Sequence, residues 1–146
     1  IYPVEISNDV MATINAARTL GVFASLVSER LIIDARAAFF KDHITINCGE
    51  SGSTLRFLIP IVSAFGLSAK FEGTSTLSSR PMDVFAEILP KFGVECRYSG
   101  ILPFSISGTG QIFDIAGHQF AVCYGTFICI APFAGRQRNH SSDAVR

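Results

Sequence analysis

Two stretches of this sequence carry residue types whose spacing suits the binding of an anion. The first runs Asn47-Cys48-Gly49-Glu50-Ser51-Gly52-Ser53-Thr54-Leu55-Arg56. An extended run turns through two glycines directly into a helical pattern, and a helix start presents backbone N–H groups that have no partner inside the helix. Glycine lets that backbone come close to an oxyanion. Ser53 and Thr54 supply hydroxyl donors, and Arg56 adds positive charge from the first turn. The second stretch, Gly73-Thr74-Ser75-Thr76-Leu77-Ser78-Ser79-Arg80-Pro81-Met82-Asp83, again sets hydroxyls and an arginine before a helix start, here marked by proline. Arg80 brings the planar fork that grips a carboxylate or phosphate through two hydrogen bonds.

The same residues also fit a plainer reading. Ser51 or Ser53 would cap the helix, Gly49 and Gly52 would allow a tight turn, and Arg56 and Arg80 would lie in solvent. This is not a P-loop, because the Gly-x-x-x-x-Gly-Lys-Ser/Thr spacing is absent, and the spacing speaks against a nucleotide triphosphatase. Two junctions of the same chemistry make the anion-site reading stronger than either alone.

The elements that must position these junctions are legible from periodicity. Residues 9–20 follow Asn8, a good N-cap, place Val10, Ile14 and Ala17 on one helical face and stop at Gly21. Strands are expected at residues 31–34 and 44–47. Leu55, Leu58, Ile59 and Val62 then recur at helical spacing as far as Gly66, with Pro60 expected to kink that helix. Residues 69–72 read as a strand. A helix from about Pro81 turns Phe85, Ile88, Leu89 and Phe92 inward before Gly93, with Pro90 making its last turn irregular. Residues 94–98 and 104–107 read as two strands joined through Gly100. The order strand, helix, strand, helix, strand, strand is an α/β unit. Leu20-Gly21-Val22 and Phe92-Gly93-Val94 close two helices alike, roughly seventy residues apart, which suggests two copies of one supersecondary unit.

Composition narrows the function. Twelve basic and twelve acidic residues cancel, with no long block of either sign, so neither a nucleic-acid nor a membrane-surface footprint is present. Cys48, Cys96, Cys123 and Cys129 are widely spaced and few histidines accompany them, so reduced buried thiols are expected and no metal or cofactor. There is no initiating Met, no signal-peptide pattern and no apolar run of about 18 residues able to span a bilayer. The sequence therefore reads as a soluble cytoplasmic protein and as a fragment.

Residues 49–56, Gly-Glu-Ser-Gly-Ser-Thr-Leu-Arg, and 80–83, Arg-Pro-Met-Asp, resemble the signature regions of the 5-enolpyruvylshikimate-3-phosphate synthase family, in the same order and with a similar separation. The likeness runs over residues 1–120 and includes Leu102-Pro103-Phe104-Ser105-Ile106-Ser107-Gly108, similar to a strand that follows the second helix in that family. The resemblance implies two domains, each of three repeated βαβαββ units, with the substrates in the cleft between them. This chain would hold an incomplete single domain of that α/β fold.

By the same resemblance, Gly52, Ser53 and Arg80 contact phosphoenolpyruvate, while Arg56 matches an arginine of the motif with either a binding or a structural role. A family segment Ser-Ser-Gln-Phe binds shikimate 3-phosphate, and its counterpart here is Gly117-His118-Gln119-Phe120. Gln119 carries over and the paired serines do not. The family's amino-terminal Lys-Ser segment and its other domain, which holds catalytic acidic residues and a lysine, have no match in this sequence. The implied reaction is transfer of the enolpyruvyl group to the 5-hydroxyl of shikimate 3-phosphate, with this chain inactive by itself. The competing readings are a noncatalytic anion-binding module, a pseudogene-like product, and a fragment of UDP-N-acetylglucosamine enolpyruvyl transferase, whose cysteine loop finds no match.

Beyond Phe120 the likeness stops. Residues 121–146 read as an aberrant tail, since back-translating residues 130–140 and reading one base later can yield Leu-Pro-Leu-Leu-Arg-Glu-Asp-Ser-Glu-Ile, similar to the family's own continuation. A frameshift near residue 120 is the expectation.

Overall fold

A computed structural model describes residues 1–36, 41 and 43–108. Residues 109–146, which include Gln119, Cys123, Cys129 and the tail assigned to a frameshift, lie outside the described residues.

Helix α1 spans Asn8–Thr19, and its N-cap is Ser7, one residue earlier than expected, whose Oγ accepts the Val10 N–H at 3.2 Å. The strands β1 (Phe23–Val27) and β2 (Arg30–Asp34) form an antiparallel hairpin. Its first strand went unread because the turn is made by Ser28 at φ 54°, with no glycine or asparagine to mark it.

The remainder is one complete βαβαββ unit: β3 (Ile44–Asn47), α2 (Gly52–Ala64), β4 (Ser68–Glu72), a single turn α3 (Ser75–Ser78), α4 (Asp83–Ile88), β5 (Glu95–Arg97) and β6 (Phe104–Ser107). The sheet order is β3-β4-β6-β5, with β3 and β4 parallel and the other pairs antiparallel. The expected order of elements is observed. Helix α2 runs through the buried Pro60 to Ala64. The irregular turn foreseen at Pro90 is a 3-10 turn, Leu89–Phe92.

Alternation sets the sheet's two faces. Ile44, Ile46, Ala69, Phe71, Phe104 and Ile106 point into the core with Leu55, Ile59 and Val62 of α2 and Phe85 and Leu89 below them. Phe71 and Phe104 are directly opposed across β4 and β6 and are both fully buried, so the strand pair is held by side-chain packing as well as by its ladder. Helix α1 serves two clusters. Ala16 and Leu20 join the main core, whereas Ile14 packs with Ala24 and Leu31 of the hairpin. The buried stripe of α1 is therefore Ala12, Ile14 and Ala16, and Val10 and Ala17 are only half-buried.

Three helical segments end the same way. Val22 N–H reaches Ala17 O, Leu67 N–H reaches Val62 O and Val94 N–H reaches Leu89 O, each across a glycine in the left-handed region, Gly21, Gly66 or Gly93. This six-to-one closure needs a positive φ that glycine adopts without cost. The α1-β1-β2 segment thus repeats the order of α4-β5-β6, down to its closing turn.

Candidate anion-binding site

Parallel pairing of β3 with β4 places their carboxyl ends side by side, which is where ligands gather in open α/β sheets. Both sequence junctions begin there. Cys48 N–H donates to Glu72 O at 2.8 Å and Thr74 N–H donates to Gly49 O at 2.9 Å, so the two loops are laced together by backbone. The Asn47 side chain accepts the Gly49 N–H at 2.9 Å and Ser51 N–H donates to Cys48 O, folding the first loop into a tight turn with Gly49 at φ 58°.

Ser51 is the N-cap of α2, its Oγ accepting the Thr54 N–H. The capping role thus falls to Ser51 and not to Ser53. Gly52 opens the helix, and above it stand two guanidinium groups. A methyl group on Gly52 would lie 2.5 Å from Arg80 Nη1, 3.4 Å from Arg80 Cζ and 3.1 Å from Arg56 Nη1. Only glycine leaves room for both arginines at that helix end. Neither Arg56 nor Arg80 forms an ion pair or hydrogen bond through its guanidinium with any described residue.

The second junction is built to hold Arg80. Thr74 caps the turn α3 through the Leu77 N–H, the Arg80 N–H closes on Leu77 O, and Leu77 and Met82 on either side are buried. The backbone of Arg80 is thereby pinned while its side chain is exposed. Ser78 Oγ accepts the Leu102 N–H at 2.9 Å, tying the segment before β6 to the same turn.

Two like charges side by side at the positive end of a helix dipole repel one another unless an anion lies between them. The arrangement therefore suits a small carboxylate or phosphate, held by a backbone N–H of α2, the exposed Ser53 hydroxyl and both guanidinium groups. Thr54, expected as a second donor, is not available. It is 2 % exposed and its hydroxyl is engaged inside the protein with Ser51 and Thr13. Sequence reasoning brought together Gly52, Ser53, Arg56 and Arg80, and the structure assembles all four. It missed Thr13, which stands 41 residues from its partner Thr54 and gives no local signal.

Cys48 and Cys96 are free thiols. Burial pushes Cys48 up to about 12 and Cys96 up to about 11, so neither is a nucleophile near neutral pH. Among the described residues no helix is long and apolar enough to cross a membrane.

The family model for EPSP synthase (3-phosphoshikimate 1-carboxyvinyltransferase) matches residues 1–143, so its match runs on past Phe120, where the motif likeness is expected to stop. The chain belongs to the EPSP synthase family. Among its relatives is a 3-phosphoshikimate 1-carboxyvinyltransferase of Clostridium botulinum (strain Eklund 17B / Type B), 40% identical over 114 residues that make up 74% of this chain and 26% of that protein. The protein of the same name from Brachyspira hyodysenteriae is 42% identical over 111 residues, 73% of this chain and 24% of that protein. In solved structures, the EPSP synthase of Acinetobacter baumannii has the same fold, with a TM-score of 0.68 at 24% identity over 84% of this chain and 30% of that one. The chain spans about a quarter of the length of the curated relatives it matches. The α/β fold and partial domain of an EPSP synthase are thus established.

Proposed function

We propose that this chain forms the phosphoenolpyruvate-anchoring part of a 3-phosphoshikimate 1-carboxyvinyltransferase, the enzyme that transfers an enolpyruvyl group to shikimate 3-phosphate. The observation that carries this reading is the convergence of Arg56 and Arg80 over Gly52 at the start of α2. Phosphoenolpyruvate carries a carboxylate and a phosphate on a three-carbon frame, and two forked cations beside a free helix end match either group. In the complete reaction the 5-hydroxyl adds to the enol carbon as the methylene carbon gains a proton; phosphate then leaves as that carbon gives a proton up and the double bond re-forms, so a carbon–oxygen bond is broken. Such an addition needs both polyanions held in contact.

Gly52 supplies a backbone N–H, Ser53 a hydroxyl, and Arg80 a bidentate grip. Gln119 is assigned to shikimate 3-phosphate by the family likeness. With about a quarter of its relatives' length, the chain is assigned binding without turnover. Residues 1–120 form the partial domain in this reading, residues 121–146 the aberrant tail, and the location is cytoplasmic.

Titration of the full 146-residue chain with phosphoenolpyruvate, followed by NMR, tests the reading. Saturable shifts are expected, weakened at least about tenfold in Arg80→Ala, because a bidentate charged contact is lost. A folded chain whose spectrum does not respond, or responds equally in Arg80→Ala, would end the proposal.

A further inference from the structure

A line of hydroxyl groups runs from α1 to the anion-facing end of α2. Thr13 Oγ1 lies 2.7 Å from Thr54 Oγ1, Thr54 Oγ1 donates to Ser51 Oγ at 2.8 Å, and Ser51 Oγ lies 3.1 Å from Ser53 Oγ. The two inner members are buried, Ser51 fully and Thr54 at 2 % exposure, while Ser53 opens to solvent beside Gly52.

Counting hydrogens fixes the direction of this line. A hydroxyl has one hydrogen to donate and two lone pairs to accept with. Ser51 Oγ accepts both the Thr54 N–H, at 3.3 Å, and the Thr54 O–H. Its lone pairs are then filled, so its single hydrogen must point at Ser53 Oγ. Ser53 accepts from within, and its own hydrogen is left to face the site. Thr54 has given its hydrogen to Ser51, so at the other end it accepts from Thr13, whose hydrogen is shared with the Asp9 carbonyl at 3.0 Å.

We infer that Thr54 is a positioning residue for the anion site, turning the Ser53 hydroxyl outward as a donor through Ser51. Without the Thr54 hydroxyl, Ser51 has a free lone pair, and the Ser53 hydrogen can turn inward to fill it. An outward Ser53 hydrogen favours an anion, whereas an inward one presents oxygen lone pairs that repel it. Each donation along the line also polarises the next, which makes Ser53 a stronger donor. The inference rests on the anion-site reading proposed above and goes beyond it, because Thr54 itself touches no ligand.

The test is a double-mutant cycle on the full chain, read by phosphoenolpyruvate affinity. Ser53→Ala is expected to weaken binding about tenfold and Thr54→Val about threefold, the range of one hydrogen bond to a charged group and of its orientation. Combining them should be no worse than Ser53→Ala alone, and Thr54→Ser should restore wild-type affinity. Equal effects of Thr54→Val with and without the Ser53 hydroxyl would overturn the inference, as would failure of Thr54→Ser to restore binding. Should Thr54→Val not fold, Ser53→Ala decides by itself, since unchanged affinity there refutes an outward donor. Binding that depends on Arg80 but ignores Ser53 and Thr54 would sink this inference and leave the anion site standing. No saturable binding by wild type would sink both.

Discussion

At the scale of single residues the site turns on what Gly52 lacks. The atoms a methyl group would strike there are the tips of Arg80 and Arg56, flexible ends that can swing away, and no backbone atom is in the way. Gly52→Ala should therefore leave the fold intact and evict the guanidinium groups. We expect phosphoenolpyruvate affinity to fall at least about tenfold while the melting temperature moves by only a few degrees, since the displaced atoms are the ends of flexible side chains. Parallel titration and thermal unfolding would check this; a variant that binds normally would mean that the arginines need not stand over residue 52. The neighbouring hydroxyls show how position decides chemistry. Ser53 and Thr54 are adjacent and chemically alike, yet one is exposed and the other is buried and engaged with Ser51. Helical geometry separates them by about 100° around the axis, and only a burial pattern distinguishes the hydroxyl that faces solvent from the one that serves a neighbour.

Among elements, the decisive event is the parallel pairing of β3 with β4, which sets two glycine-bearing loops against each other. Gly73 is where they touch. A methyl group there would lie 2.7 Å from the Gly49 carbonyl oxygen and 2.6 Å from Leu77. Backbone cannot swing aside as a side chain does, so Gly73→Ala should cost about 1–3 kcal/mol of stability through forced displacement. It should also weaken anion binding, because α3 and Arg80 move with the loop. Affinity and melting temperature falling together in Gly73→Ala, against affinity alone in Gly52→Ala, would separate the framework of the site from its occupants. Much of this level was legible in the sequence. Helical spacing from Leu55 to Val62, glycine at Gly21, Gly66 and Gly93, and proline at Pro90 each act through the residue's own backbone or its near neighbours. What stayed hidden depends on distant or unusual partners: β1 behind a turn made by Ser28, the cap at Ser7, the single turn α3, and Thr13 reaching Thr54 from another helix.

For the molecule as a whole, the core beneath the site carries a thiol that links its stability to pH. Cys48 directly follows β3, is fully buried at the start of the first loop, and burial has pushed it up to about 12 from an ordinary value of 9.0. Cys96 on β5 is pushed up to about 11 for the same reason. A group held protonated by the fold contributes no pH dependence below the pKa it has when unfolded. Above that value the unfolded chain loses the proton and the native one keeps it, so stability falls as pH rises from about 9 toward 12, by about 1.4 kcal/mol per pH unit for Cys48, while the half-buried Cys96 adds a smaller fall that ends near 11. The sign is fixed: fewer protons are bound by the unfolded state in this window. Urea unfolding of the wild type and of Cys48→Ala over that range measures the effect. The variant begins less stable, since a packed sulfur is lost from the core, but its stability should decline less steeply with pH, and the two curves should converge. Parallel curves would mean that Cys48 meets water in the native state, and that the floor under the two loops is looser than its packing indicates.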